Sequence, residues 1–249
     1  MLKHKQMQAL PESEGRYNLK IKAVLFDLGN TLVKSFAPEI VFQKILTSFN
    51  IHVQIEKIKR AIEKTESDFS NIKYEPSYGK VSYEEFWNKW NSRVLTLLGL
   101  PKDDRVVKGI LTKWFDYAEC NTYPEVKNIL RKLKHMGLKI GIISGAYEED
   151  IYIILDKVHL PKDFFDIIVG ANTIKKAKPH PDVFRYALKK LNVKPEEALF
   201  IGDVVDADYE GAEKIDMKAI LIQRTEAQTP RTTNLRTISS LKEIFNFID

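Results

Sequence analysis

From Pro124 onward the chain alternates short apolar runs with helical stretches, and no other feature of the sequence restricts the fold as strongly. The runs are KIGIIS (139–144), DIIVG (166–170), ALFIGD (198–203) and KAILI (218–222). Between them the pattern predicts helices over Glu125–Met136, Glu148–Val158 and Asp182–Leu191, and near Tyr209–Ile215. Gly137, directly after the first of these, is an apt helix stop because glycine accepts the left-handed conformation that closes a final turn. An earlier run, IKAVLFDL over Ile21–Leu28, is apolar continuously rather than at every second residue. A strand of that kind is buried on both faces, as a central strand of a parallel sheet must be. Strands alternating with helices of about 10–15 residues define an α/β doubly wound parallel sheet with a Rossmann-like core.

The first strand is separated from the others by a segment of different character. From Pro38 to Glu119 the chain is helical throughout, with helices expected near 38–50, 54–71, 82–99 and 102–119. Breaks fall at Pro76-Ser77-Tyr78-Gly79 and at Gly99-Leu100-Pro101, both rich in turn-forming residues. Phe86, Trp90, Val94 and Leu97 recur at the spacing of one helix face. About eighty residues is far too long for an unstructured connection, so the segment is expected to form an inserted helical-bundle domain. The expected organisation is an N-terminal extension (1–20), an α/β core (21–36 and 120–249) and the helical insert (37–119). Trp87, Trp90 and Trp114 read as packing residues of the insert, and Cys120 as a small packing residue.

Composition narrows the partners. Lys and Arg number 39 against 34 Asp and Glu, a net charge of +5. The basic residues are interleaved with acidic ones, as in QIEKIKRAIEKTE, which is a solvated helix face rather than a nucleic-acid surface. No run approaches the ~20 apolar residues of a membrane span. The segment MLKHKQMQALPESEGRYNLK lacks the apolar centre of a secretory signal, so the expected location is cytoplasmic. A single cysteine excludes both a disulfide framework and a Cys-rich zinc site. Oligomeric state is left open.

In open α/β sheets ligands bind outside the carboxyl ends of the strands. Asp27 ends the first strand, Ser144 ends KIGIIS, and Asp203 follows ALFIG with Asp206 and Asp208 close behind. Lys178 lies in the loop before the helix at 182. Carboxylates, a hydroxyl and an ammonium at one rim suit phosphoryl transfer. Mg²⁺ prefers carboxylate and carbonyl oxygens, so Asp27 and Asp203 are candidate ligands. A carboxylate such as Asp27 can also be a nucleophile, forming an aspartyl-phosphate. Ser144 and Lys178 can donate to the transferring phosphoryl oxygens, where charge builds in the transition state. Asp206 reads as a solvated acid at a helix start, and His180, between two prolines, as a loop residue.

These residues carry a family resemblance. Asp27-x-x-x-Thr31 after a buried strand, Ser144, Lys178 and Gly202-Asp203-x4-Asp208 resemble, in that order, the four motifs of the haloacid dehalogenase-like superfamily. Thr122-Tyr123-Pro124-Glu125-Val126, Lys178-Pro179-x-Pro181-x-x-Phe184 and Gly211-Ala212 agree with it. The resemblance implies Asp27 as nucleophile and Mg²⁺ held by Asp27, the carbonyl of Gly29 and Asp203. Asp208 would support the metal site or orient Lys178, and Thr31 would shape the first loop. Asn30, Ser144, Gly145 and Lys178 would hold the phosphate of a small phosphorylated metabolite. The insert resembles the small four-helix cap of the superfamily.

One position departs from that pattern. Phosphatase members usually carry a second aspartate two residues after the nucleophile, to protonate the leaving oxygen and then activate water. Here the residue is Gly29. Its carbonyl remains available to a metal, but general acid–base help worth about 10²–10⁴-fold is missing. Three readings follow: a substrate with a good leaving group, an acid supplied by the insert (Glu39, Glu84 or Glu85), or a slow phosphatase whose main role is phosphate binding or regulation. The dehalogenase branch, which works without Mg²⁺, also lacks the second aspartate. It places a tyrosine at this position and lacks the Gly-Asp pattern supplied by Gly202-Asp203.

Overall fold

The computed structural model of the protein describes residues 20–34, 36–70, 80–224 and 235–248. The chain enters as β1 (Ala23–Phe26), followed by the short β2 (Val33–Lys34) and four helices, α1 (Pro38–Thr47), α2 (Ile55–Ser70), α3 (Tyr83–Leu97) and α4 (Asp104–Tyr117). It returns through β3 (Asn121–Thr122), α5 (Val126–His135), β4 (Lys139–Ile143), α6 (Glu148–Lys157) and β5 (Ile167–Val169). Then come α7 (Pro181–Leu191), β6 (Ala198–Gly202), α8 (Glu210–Glu213), β7 (Lys218–Ile222) and β8 (Thr237–Ile238).

Six of these strands form one sheet in the order β5-β4-β1-β6-β7-β8, parallel throughout. Renumbered within the sheet this is 3-2-1-4-5-6, the doubly wound Rossmann order, whose direction reverses between β1 and β6. The continuous apolar run explains the central place of β1. Val24 and Phe26 face a cluster with Leu130 and Leu133 of α5 and Leu155 of α6, whereas Ala23 and Leu25 face Phe184 and Leu188 of α7. All four β1 side chains are fully buried, and burial of each large apolar one contributes about 1.5–3 kcal/mol.

The helical insert has its own apolar cluster, centred on Phe42, Ile45, Ile58, Val94 and Ile110. Its third and fourth helices start at Ser82 and Asp103, whose side chains accept the backbone N–H groups of Glu85 and Arg105. The chain leaves and re-enters the core through β2 and β3, which pair antiparallel, Val33 with Thr122 and Lys34 with Asn121.

Several features differ from the sequence expectation. The helix expected near Tyr209–Ile215 begins earlier, as a π turn over Val205–Tyr209 running into α8. Neither β8 nor the two-stranded β2–β3 ladder is predicted, because two-residue strands carry no readable period. The break at Pro76–Gly79 and nearly all of the N-terminal extension lie outside the described residues.

Insert and core are joined at the start of α6. Tyr147 is fully buried against the insert, its ring 5.6 Å from those of Tyr83 and Phe86. One turn on, the Tyr83 hydroxyl donates to Asp150 Oδ1 at 2.6 Å. Burial pushes the Asp150 carboxyl from an ordinary 3.8 up to about 6. A carboxyl that holds its proton more tightly folded than unfolded contributes stability in full below pH ~3.8, and the contribution is lost as pH rises through ~6. Asp150→Asn stays neutral and can still accept from Tyr83. The variant is expected to exceed wild type in stability above pH ~6, by up to about 3 kcal/mol, with the gain vanishing near pH ~4. Thermal melts of the two proteins at both pH values check this.

Candidate active site

The reversal of strand order opens a crevice at the sheet rim between β1 and β6, and the sequence-predicted residues meet there. A cavity of ≈ 370 Å³ is lined by Asp27, Gly29, Asn30, Ser144, Gly145, Lys178, Asp203 and Asp208. Asp27, Ser144 and Asp203 each follow directly on a strand end. The Asp27 N–H continues the β1–β6 ladder by donating to the Ile201 carbonyl at 2.8 Å, and the Ser144 N–H donates to the Val169 carbonyl at 2.9 Å. Lys178 arrives from the loop before α7, whose start is capped by the His180 ring accepting the Asp182 N–H at 3.2 Å. His180 is therefore a helix cap beside the site.

Lys178 is the centre of the arrangement. Its ammonium donates to Asp27 Oδ1 at 2.7 Å and to Asp208 Oδ1 at 2.5 Å, and its side chain is only 5% exposed. Asp208 commits its other oxygen to the Val204 N–H at 3.0 Å, so both its oxygens are engaged within the protein. Asp203 receives the Asn30 side-chain amide at 3.1 Å. The Ser144 hydroxyl oxygen accepts the Ala146 N–H at 3.1 Å, which holds the hydroxyl at the rim with its own proton free to donate. Asp206 is exposed and does not line the cavity.

Electrostatics follow from this crowding. Burial raises the Asp27 pKa from 3.8 to about 6, with Lys178 opposing the rise and Asp208 adding to it. Burial also raises Asp203, with the Asn30 amide opposing. Burial disfavours the Lys178 ammonium, but Asp27 and Asp208 outweigh it and hold its pKa above the usual 10.5. Carboxylate oxygens of Asp27, Asp203 and Asp208 lie within 4.8 Å of one another. Three carboxylates against one ammonium leave an excess of negative charge in a partly dry site. An all-oxygen donor set of that sign fits a hard divalent cation.

A close approach fixes Gly202. A methyl group there would stand 2.3 Å from Asp208 Oδ2. Gly202→Ala is therefore expected to push the Asp208 carboxylate aside and release Lys178. The expected losses are about 1–3 kcal/mol of stability and on the order of 10²-fold in turnover. Paired thermal melts and steady-state rates check it.

One support was not legible in the sequence. The Arg224 guanidinium, just after β7, donates to the Thr31 carbonyl at 2.6 Å and to Glu125 Oε1 at 2.5 Å, and lies 3.7 Å over the Tyr123 ring. It ties the loop after Asp27 to the start of α5 and to the C-terminal segment, where Ser240 also donates to Glu125. Glu125 and Tyr123 sit in the Thr122–Val126 text that resembles the family, but their partner is about a hundred residues away and carries no local signal. Of the acids considered as replacements at position 29, none reaches the cavity. Among the described residues its acidic lining is Asp27, Asp203 and Asp208 alone.

A doubly wound sheet with an aspartate at the end of its first strand, a buried lysine bridging two aspartates and a helical insert after the first loop defines a hydrolase class. The family model of haloacid dehalogenase-like hydrolases matches residues 21–216, and the chain belongs to that family. It is 27% identical over 235 residues to a glyceraldehyde 3-phosphate phosphatase of Methanocaldococcus jannaschii, covering 92% of this chain and 97% of that protein. A HAD phosphatase structure from Thermococcus onnurineus aligns with a TM-score of 0.61 at 25% identity, covering 90% of this chain and 96% of the other. The L-2-haloacid dehalogenase RSc1362 shares the fold, with a TM-score of 0.68 at 19% identity over 92% of this chain and 99% of that one. No helix among the described residues is long and apolar enough to cross a membrane.

Proposed function

We propose that the protein is a Mg²⁺-dependent phosphatase of a small phosphorylated metabolite, acting through an aspartyl-phosphate on Asp27. The observation that carries this reading is the Lys178 ammonium held between Asp27 and Asp208, with Asp203 alongside. Asp27 Oδ1 is bound to Lys178, which leaves Oδ2 to attack phosphorus. Its raised pKa makes it a stronger nucleophile than an ordinary carboxylate once ionised. Ser144, Gly145 and Asn30 surround the position the phosphoryl oxygens would take, and Lys178 offers them a fixed positive charge. Mg²⁺ held by Asp27, Asp203 and the Gly29 carbonyl would supply charge neutralisation at the phosphoryl oxygens. Asp208, with both oxygens engaged, is a positioning residue that aims Lys178. The insert acts as a cap that limits the site to small substrates and excludes water. The named activity of the M. jannaschii relative agrees with a small phosphorylated substrate.

A dehalogenase has no use for a metal-binding carboxylate at Asp203, and the cluster of three carboxylates around Lys178 favours the phosphatase. Gly29 favours a particular kind of phosphatase. Among the described residues no carboxyl group beyond Asp27, Asp203 and Asp208 lines the cavity to protonate a leaving alkoxide, so esters with poor leaving groups turn over slowly. Acyl and aryl phosphates, whose leaving groups need little protonation, turn over faster. Gly29→Asp is expected to raise hydrolysis of an alkyl phosphate about 10²-fold and that of an aryl phosphate far less. A metabolite panel run on both proteins tests this, and equal rates on alkyl phosphates would show that the missing side chain is not limiting.

A further inference from the structure

A second cavity, of ≈ 130 Å³, lies where the insert meets the start of α6 and shares no lining residue with the catalytic cavity. Its walls include the rings of Trp87, Trp90 and Trp114, together with Tyr83, Asn91 and Asp150. We propose that this cavity is a binding site for a small organic cation, of the alkylammonium class.

Four observations support that assignment. First, among the described residues no Lys, Arg or His lines the cavity, whereas two carboxylates do: Asp150 in its buried wall and Glu66 at its exposed side. Neither makes an ion pair among the described residues, so two negative charges face the space without a counter-charge. A buried carboxylate is expensive unless a cation or several hydrogen bonds accompany it. Here the Tyr83 hydroxyl supplies one good bond. Second, Asn91 is 2% exposed and makes no hydrogen bond among the described residues. The amide lines the cavity, where a ligand would satisfy it.

Third, the aromatic walls select the kind of cation. Indole and phenol faces attract positive charge through the ring quadrupole, and they favour a weakly hydrated organic cation over a metal ion that needs an oxygen shell. Fourth, the size fits. A single water needs about 10–15 Å³ of such volume, so the space holds a group of a few non-hydrogen atoms, such as a methylated ammonium. The sequence reading of the three tryptophans as packing residues is thus half of the account. They belong to the apolar cluster of the insert and also face this space. Trp114 also meets Phe36 edge to face at 6.1 Å, and Phe36 lines the catalytic cavity. Two rings in contact therefore separate the two spaces, and the cation is either a separate ligand or the charged end of the phosphate ester itself.

The chain's 3 tryptophans all line this cavity, so intrinsic fluorescence reports its occupancy directly. Titration of the full-length protein with choline is expected to give a saturable change, with 3,3-dimethylbutan-1-ol, its uncharged isostere, at least about tenfold weaker. Asp150→Asn and Glu66→Gln should each weaken choline binding several-fold with no loss of melting temperature, and Asn91→Leu, which fills the space, should abolish it. Asp27→Asn should bind choline as wild type does, so the result does not depend on the catalytic reading. No saturable change, equal binding of the neutral isostere, or undiminished binding in both Asp150→Asn and Glu66→Gln would overturn the proposal. Rates with phosphocholine separate the two sources. Competitive inhibition of its hydrolysis by choline assigns the cation to the substrate, and binding of choline alongside an aryl phosphate assigns it to a separate ligand. Either pattern upholds the site.

Discussion

Asp27→Asn is expected to lower phosphate release by on the order of 10⁵-fold or more, as removal of the nucleophile does in other covalent mechanisms. The amide keeps the shape of the carboxylate and can still accept from Lys178, but it cannot attack phosphorus. The fold should not suffer. Burial holds the Asp27 carboxyl at a pKa of about 6, so its ionised form is a load on the native state that the neutral amide removes. By linkage, the stability contributed by a carboxyl with a raised pKa is complete below pH ~3.8 and lost as pH rises through ~6, so the variant should melt no lower than wild type at pH ~7.5 in metal-free buffer. Rates at saturating metal and paired melts check both halves. Activity within a hundredfold of wild type in a folded Asp27→Asn protein would exclude Asp27 as the nucleophile.

Lys178→Met should be as damaging to activity and much more damaging to stability. Among the described residues Lys178 is the one cation paired with these carboxylates, and without it Asp27 and Asp208 face each other with no bonded counter-charge. Breaking a buried ion pair by removing one partner typically costs about 3–5 kcal/mol. Turnover should fall on the order of 10²–10³-fold, the usual loss when one donor to a transition-state oxyanion is removed. The two losses separate under test. Acid pH protonates the stranded carboxylates, and a divalent cation neutralises them, so either should restore much of the melting temperature. Neither should restore turnover. Recovery of activity along with stability would reduce Lys178 to a structural counter-charge.

The sequence made the catalytic rim legible because each of its residues carries a local signal. Asp27 follows an apolar run that only a central strand explains, Asp203 follows another, and Lys178 precedes a proline at a helix start. Strand ends of a doubly wound sheet then bring those residues together without further information. The helices of the insert were readable for the same reason, through apolar spacing and residues such as Ser82 and Asp103 at their starts. What escaped has no local signature. Arg224 supports the loop after Asp27 from the end of β7, and nothing around it in the chain marks it as different from any surface arginine. Tyr147 reads as one more residue before a helix, yet it is fully buried in the apolar cluster of the insert. The cavity beside it exists only because Asp150 from the core meets Asn91 and three tryptophans from α3 and α4, and no periodicity foretells an unfilled space between two packed units. Gly29 is the reverse case, a position where the sequence is more informative than the structure. The chemistry at stake there is that of an absent side chain.

The covalent step is tested most directly by trapping it. Borohydride added during turnover of an aryl phosphate reduces an acyl phosphate on aspartate to homoserine, which mass spectrometry locates by peptide. The expected result is homoserine at position 27, dependent on substrate and on divalent metal and absent from Asp27→Asn. Steady phosphate release with position 27 unmodified would contradict an aspartyl-phosphate on Asp27.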